Sequence, residues 1–266
     1  MEKIRVVVSG AYGRMGREVV KAVFAQEDME LVGAVDKVGT GVDAGEAAGL
    51  KKNGVLIESD LHQTLLNTKP QVVVDFSTPL AVKENIKIIL DSGANGVIGT
   101  TGLTAESLKE LEVLAEQAGK GLLVAPNFAI GAVLMMRFAK EAARFLPEAE
   151  IIELHHDRKI DSPSGTALKT AEMIRKGRVQ APAVKPSPLE KVKGARGGDY
   201  ADVHIHSIRL PGFVAHQEVI FGGDGQTLTI RHDSLDRSSF MPGVLMGVRK
   251  IINGQGLIYG LENLLE

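Results

Sequence analysis

The chain has no cysteine among its 266 residues. Disulfides, thiolate nucleophiles and cysteine-ligated zinc or iron–sulfur centres are excluded, and a reducing compartment is the natural setting. No apolar run approaches the ~20 residues that cross a bilayer. The short apolar run at the start meets glycine and arginine sooner than a secretion signal would. A soluble cytoplasmic protein with no membrane partner is expected. Neither sign of charge is in excess, with 31 Lys+Arg, 33 Asp+Glu and a formal net charge of -2. Nothing global therefore points to nucleic acid. There is no GxxxxGK[ST] run, which disfavours an ATPase, and no HExxH run to support a metal.

What the chain does have is glycine, 30 residues in all, well above the usual level of about 7%. The hydrophobic content of 44% suffices for a sizeable core, and the length fits one large domain or two modest ones.

The first half alternates in period. Ile4 to Ser9 is a β-branched run, and Arg14 to Ala25 carries Met15, Val19, Val20, Val23 and Phe24 at helical spacing. Further strands are expected at Leu31 to Val35, Val72 to Phe76, Asn95 to Ile98 and Leu122 to Ala125. Helices are expected from Pro79 to about Leu90 and from Thr104 to Ala118, with Thr104 as cap and Ser107 at the third position. The irregular Gly39 to Asp60 stretch is read as a short helix near Asp43 to Ala48 and a strand at Val55 to Glu58. Near-continuous apolar strands imply burial on both faces, hence a mostly parallel sheet covered by helices. Beyond Pro126 the reading is a helix at Ile130 to Phe145, a strand at Glu150 to His155 and a helix at Gly165 to Arg175. Alternating strands follow at Asp202 to Arg209, Ala215 to Gly222 and Thr227 to Asp233, and a final helix at Phe240 to Ile252 could dock on the first domain. Gly177 to Tyr200, with Lys185, Lys191, Lys193 and Arg196, is read as a long mobile excursion. The fold class is therefore α/β: a Rossmann-type dinucleotide domain, 1–126 completed by 240–266, with a second α+β domain at 127–239.

Gly10-Ala11-Tyr12-Gly13-Arg14-Met15-Gly16 lies between the first strand and the first helix. Gly10 permits a sharp turn, Gly13 a close approach to a pyrophosphate, and Gly16 close packing of helix on sheet. The GxxGxxG spacing is one residue wider than the usual fingerprint, and an ordinary glycine-rich connection is the alternative. Asp36 closes the second strand, where its carboxylate can accept hydrogen bonds from a ribose. It favours NAD, whereas Lys37 or Arg14 could neutralise the 2'-phosphate of NADP, so use of both NADH and NADPH is expected. Gly99-Thr100-Thr101 and Ala125-Pro126-Asn127-Phe128 follow later strands, and their loops can meet the glycine turn at the carboxyl ends of a parallel sheet. Asn127 could orient a nicotinamide and Phe128 pack on its ring, or these loops are simple strand-end turns.

The most informative run is Glu153-Leu154-His155-His156-Asp157-Arg158-Lys159-Ile160-Asp161-Ser162-Pro163-Ser164-Gly165-Thr166-Ala167. Two histidines and a lysine precede a helix start at which the Gly165 and Thr166 amides can bind an anion, with Ser164 as cap. A small carboxylate is the natural ligand, and surface histidines are the plain alternative. His204 and His206 share a strand face and could bind a metal with His155 or His156. Arg209 and His216 could serve a pocket, an interface or an exposed strand pair. The glycine turn and the His155 to Lys159 cluster lie more than 100 positions apart, so a closing interdomain cleft is expected. A dehydrogenase for another small acid, or a nonenzymatic nucleotide-responsive regulator, would also keep the first domain.

Together with VDFSTP (Val74 to Pro79), GTTG, APNF, IHSIRLPG, FGGDGQTLTIRHDS and DRSSFMPG, these runs cover essentially the whole chain. In this it closely resembles the 4-hydroxy-tetrahydrodipicolinate (dihydrodipicolinate) reductase family. The resemblance implies NAD(P)H-dependent reduction of a small cyclic dicarboxylate in lysine and diaminopimelate biosynthesis by a cytoplasmic homotetramer, whose second domain binds substrate and assembles the oligomer. It implies His155 as the acid/base group, Lys159 as proton donor, and His156, Gly165 and Thr166 as substrate ligands. Gly10, Ala11, Tyr12, Gly13, Arg14, Met15, Asp36, Lys37, Gly99, Thr100, Thr101, Ala125, Pro126, Asn127 and Phe128 are the implied cofactor contacts. Many members carry serine where this chain has Ala129.

Overall fold

The computed structural model describes residues 2–182 and 189–265. Lys185 lies outside the described residues. In chain order the strands and helices are β1 (Ile4–Ser9), α1 (Arg14–Phe24), β2 (Met29–Val35), α2 (Ala44–Ala47), β3 (Ile57–Glu58), α3 (Leu61–Thr68), β4 (Val72–Asp75) and α4 (Val82–Asp91). There follow β5 (Asn95–Ile98), α5 (Ala105–Ala118), β6 (Gly121–Val124), α6 (Ile130–Ala142), β7 (Glu148–His155), α7 (Gly165–Gly177), β8 (Gly198–Tyr200) and β9 (Val203–Arg209). The last are β10 (Ala215–Gly223), β11 (Gln226–Ser234), α8 (Met241–Ile251) and β12 (Gly256–Tyr259).

Two compact units result: Met1–Phe128 with Phe240–Glu266, and Ala129–Ser239. The division falls after Phe128 rather than Pro126. The Phe128 ring lies 5.8 Å from that of Phe76, and its carbonyl would be 2.1 Å from a Cβ on Gly243, so Phe128 packs as part of the first unit.

The first unit is a seven-stranded sheet in the order β12-β6-β5-β4-β1-β2-β3, with every pair parallel. Alternate valines of β1 explain its two-sided burial. Val7 joins Leu61, Leu65, Ile86, Ile89, Leu111 and Ala115 on the face covered by α3, α4 and α5, while Val6 and Val8, equally buried, point the other way. The order reverses between β1 and β4, and ligands of such sheets bind at that switch point, beyond the carboxyl ends of the strands.

The second unit is a five-stranded sheet in the order β11-β10-β7-β9-β8. β7 and β9 run parallel and the other pairs antiparallel, a mixed sheet as the alternating pattern suggests. Ile151, Ile205, Val219 and Phe221 are buried on one face, and α6 and α7 bury Met135, Ala139, Ala171 and Ile174. Within that core Gln217 donates to Thr170 Oγ1 at 2.7 Å.

Several expectations need correction. The helix read from Pro79 starts at Val82, because Ala81 and Val82 both donate to the Thr78 carbonyl and keep 79–81 in a turn. The helix read to Phe145 ends at Ala142. The 177–200 stretch is not a uniformly mobile excursion in its described part. Glu190 accepts the Gly194 and Arg196 amides, β8 pairs with β9, and the Tyr200 hydroxyl donates to Glu172 at 2.9 Å. Among the described residues no helix is long and apolar enough to cross a membrane.

Candidate active site

In the first unit the glycine turn sits at the switch point. Gly10 has φ +77°, and a Cβ there would fall 2.4 Å from the Phe76 carbonyl oxygen, at the end of β4. A Cβ on Gly16 would lie 2.0 Å from the Gly10 oxygen, so α1 can start this close to the sheet only without a side chain. Gly13 is the α1 N-cap and supplies no side-chain bond, which leaves the first-turn amides of Arg14, Met15 and Gly16 to an outside acceptor. Ala11 is buried and its amide donates to Val35. Asp36 fixes the turn from beneath, with Oδ2 accepting the Tyr12 amide and Oδ1 the Val38 amide, both at 3.0 Å. The Tyr12 ring carries the Arg17 guanidinium 4.3 Å from its centroid. Lys37 is exposed and donates to the Ser59 carbonyl at 2.8 Å.

The two later loops lie beside this turn, after β5 and β6. Asp75 is fully buried at the end of β4. Its Oδ1 accepts Thr100 Oγ1 at 2.7 Å, the Ser77 hydroxyl at 2.8 Å and the Ser77 amide at 3.1 Å, and Oδ2 accepts Asn85 Nδ2 at 2.9 Å. Gly99 lies against the Phe76 ring, which a Cβ would meet at 2.1 Å. Thr101 and Pro126 are exposed, Asn127 is half-buried, and Ala125 is buried with its amide bonded to Ile98. Ala129 is the N-cap of α6 without a side-chain cap bond.

In the second unit the predicted cluster gathers at the end of β7. His155 Nδ1 lies 2.5 Å from Glu153 Oε2, and Glu153 is fully buried. Arg209 at the end of β9 forks onto the same carboxylate at 2.8 and 2.9 Å. Burial works to raise the Glu153 pKa, but hydrogen bonds from His155, Arg209 and Ser207 outweigh it and bring it down to about 2. Lys159 reaches both oxygens of Asp161 at 2.7 Å. The His156 pKa is lowered, first by burial and then by the charges of Arg158 and His155, and its Nδ1 is buried without a partner. His156 is thus a neutral group with unspent hydrogen-bonding capacity. Ser164 caps α7 by accepting the Ala167 amide at 3.2 Å. A Cβ on exposed Gly165 would meet nothing within 4 Å, so space is open at the helix start where Thr166 follows. Together these groups can hold a small anion and exchange protons with it.

Among the described residues no three His, Asp or Glu side chains are grouped so as to hold a metal ion, and the strand register takes His155 out of the metal alternative. β7 pairs Glu150 with His204 and His155 with Arg209, which puts His204 and His206 on the opposite face from His155. His206 instead meets Glu150 at 2.8 Å, and His216 meets Asp233 at 2.7 Å.

Two family models match, described as dihydrodipicolinate reductase N-terminus over residues 4–128 and dihydrodipicolinate reductase C-terminus over residues 131–265. The chain belongs to the dihydrodipicolinate reductase family. Among its relatives, the 4-hydroxy-tetrahydrodipicolinate reductase of Moorella thermoacetica is 54% identical over 264 residues, covering 99% of this chain and 98% of that protein. The protein of the same name from Halalkalibacterium halodurans is 49% identical over 263 residues, covering 99% and 100%. The solved dipicolinate-bound dihydrodipicolinate reductase of Paenisporosarcina sp. TG-14 is 45% identical with a TM-score of 0.87, covering 98% of this chain and 99% of that one. An amine dehydrogenase from Mycobacterium smegmatis, 16% identical with a TM-score of 0.69, shares the fold.

Within this dihydrodipicolinate reductase fold, no local sequence pattern marks Asp75 and Asn85 as functional, and the run from Glu153 to Ala167 does not by itself assign Glu153 a role. For Glu153 a signal existed: residues two apart on a strand share a face, so a glutamate two before a histidine can reach it.

Proposed function

We propose that the chain reduces (2S,4S)-4-hydroxy-2,3,4,5-tetrahydrodipicolinate to (S)-2,3,4,5-tetrahydrodipicolinate with NADH or NADPH, in lysine and diaminopimelate biosynthesis. The observation that carries this is its 54% identity, over nearly the full length of both chains, to a 4-hydroxy-tetrahydrodipicolinate reductase. The residues of the first unit fit the dinucleotide. The open first-turn amides of the uncapped α1 start and the Asp36 carboxylate, which retains lone pairs beyond the two amides it accepts, match a pyrophosphate and a ribose. Gly10 to Met15 hold the pyrophosphate, while Gly99 to Thr101 and Ala125 to Phe128 line the nicotinamide side. Loss of the 4-hydroxyl together with a C5 proton as water leaves a C=C–C=N conjugation in the ring, and bound reduced nicotinamide would supply hydride to its C4 while the ring nitrogen takes up a proton.

The second unit handles substrate and protons. The Gly165 and Thr166 amides and neutral His156 bind a ring carboxylate, and Lys159 and His155 supply or remove the proton as charge moves toward the ring nitrogen. Use of both cofactors is supported by opposite charges at neighbouring positions. Asp36 opposes a 2'-phosphate, and exposed Lys37 donates to a carbonyl that a phosphate can replace. A cytoplasmic homotetramer is part of this proposal. Self-association, though not the location or the number of copies, is supported by the second face of the five-stranded sheet, which neither α6 nor α7 covers and which carries half-buried Ile152, Leu154, Ile208 and Ile220.

Purified protein given the hydroxy-tetrahydrodipicolinate should oxidise NADH and NADPH in a substrate-dependent way. Lys37→Ala should weaken NADPH use more than NADH use. Absence of substrate-dependent oxidation with either cofactor would overturn the function, and equal losses in the variant would overturn the role of Lys37.

A further inference from the structure

Behind the His155 to Lys159 cluster lie two charged side chains that the proposed substrate contacts leave unused. Glu153 and His155 point to the same face of β7, and Arg209 arrives from the neighbouring parallel strand, paired directly with His155. A buried carboxylate is costly unless paired and fully hydrogen-bonded. Here Arg209 meets both oxygens through its fork at 2.8 and 2.9 Å, and His155 Nδ1 takes Oε2 at 2.5 Å. The same guanidinium does a second job, since Nη2 also donates to the backbone carbonyl of Asp161 at 2.8 Å. Asp161 in turn holds Lys159 with both carboxylate oxygens. The Leu210 amide donates to the His155 carbonyl at 3.1 Å, so the end of β9 also fixes the end of β7. Other charged or titratable neighbours of the cluster are His156, Asp157 and Arg158 on the following turn and Arg237 beyond β11.

An ionised Glu153 accepts hydrogen bonds and donates none. Its pKa of about 2 keeps it ionised at neutral pH, so the imidazole nitrogen beside it must carry hydrogen, and the other nitrogen is left for chemistry. We propose that Glu153 and Arg209 are positioning residues of the reductase: Glu153 fixes His155 as the Nδ1–H tautomer with Nε2 available for proton exchange. Arg209 locks Glu153 and, through the Asp161 carbonyl, the turn that carries Lys159. One cation thereby sets the relative placement of both proton-handling groups. The inference rests on the reading of His155 and Lys159 given above.

The test uses the full chain labelled with 15N-histidine, with the His155 resonances assigned by their loss in His155→Gln. At a pH where the ring is neutral, wild type should show a protonated Nδ1 and a bare Nε2. The opposite tautomer in wild type would overturn the proposal without any variant. In Glu153→Gln the lock should be lost, because a carboxamide has one acceptor oxygen where Arg209 and His155 use two. Turnover should then fall about 10²-fold in kcat, with KM changed less than about threefold, because the α7 carboxylate site is untouched. Arg209→Lys keeps the charge but loses the fork, and should lower kcat about tenfold. It serves as the second variant if Glu153→Gln does not fold. A folded Glu153→Gln or Arg209→Lys protein with wild-type kcat would overturn the inference, as would an unchanged tautomer in Glu153→Gln. The tautomer is read without substrate, so a wild-type protein inactive on the dicarboxylate would defeat the function while the spectrum still decides the positioning.

Discussion

Lys159 reaches both oxygens of Asp161, and that pair fixes where its ammonium can go. Its side chain is largely buried while that of Asp161 is mostly exposed. The carboxylate can therefore be hydrated when the ammonium turns to a substrate, which keeps the exchange inexpensive. If Lys159 gives a proton in the transition state, Lys159→Ala should lower kcat and kcat/KM together by about 10²-fold or more. Nucleotide affinity through Gly10, Gly13 and Asp36 should stay near that of wild type. Steady-state kinetics beside a direct NADH titration separates the possibilities. A folded variant with nearly unchanged kcat and kcat/KM defeats the donor role, and a loss confined to KM reassigns Lys159 to carboxylate recognition. His155→Ala should also impair turnover, and the two losses need not add if both groups serve one proton-transfer network.

At the scale of elements, the carboxyl ends of β4 and β5 are joined by Asp75. The Thr100 hydroxyl, both Ser77 donors and the Asn85 amide all converge on it, so the loops beside the glycine turn hang from one buried carboxylate. Asp75→Asn keeps the shape but replaces one acceptor by a donor. It should destabilise the chain by about 1–3 kcal/mol in denaturant titration and weaken NADH binding as the loops loosen. An unchanged NADH Kd in a destabilised variant would limit Asp75 to the fold. This residue also marks where sequence reading stops. The β-branched runs of β1 and β4 and the Thr104 cap of α5 declare themselves locally, through period and capping chemistry. The α3 helix did not, since Leu61–Thr68 carries two threonines, a histidine and an asparagine. Only Asp60, whose side chain accepts the Gln63 amide, announces it. β12 is four residues long and pairs with β6, far earlier in the chain, so no local pattern could place it. The His155, His156 and Lys159 cluster was legible because the residues are consecutive or nearly so. The Glu153–Arg209 contact spans 56 positions, and only the parallel register of β7 and β9 creates it.

For the whole molecule, the sheet of the second unit poses a question of coverage. Its helices lie on the face of Ile151, Glu153 and Phe221, and pleating sends Ile152, Leu154, Ile208 and Ile220 to the other. Around them stand Glu150 with His206, Glu218 with Arg231, and His216 with Asp233. Charges are thus paired within the face rather than left to repel a second copy. A broad mixed sheet with aliphatic side chains between neutralised rims is suited to an isologous contact, in which each residue acts twice across a two-fold axis. Ile152 is central, flanked by His206 on β9 and Glu218 on β10. Fully burying one isoleucine contributes about 1.5–3 kcal/mol, and the symmetry doubles the effect per contact. Ile152→Lys would add two unpaired cations to each such contact. Wild-type protein in sedimentation velocity at micromolar concentration should therefore run as a tetramer, and Ile152→Lys as a smaller species that still binds NADH through the first unit. A monomeric wild type would rule out the homotetramer. A variant that stays tetrameric would move the assembly surface away from this face, because a desolvated lysine pair at its centre could not be tolerated there.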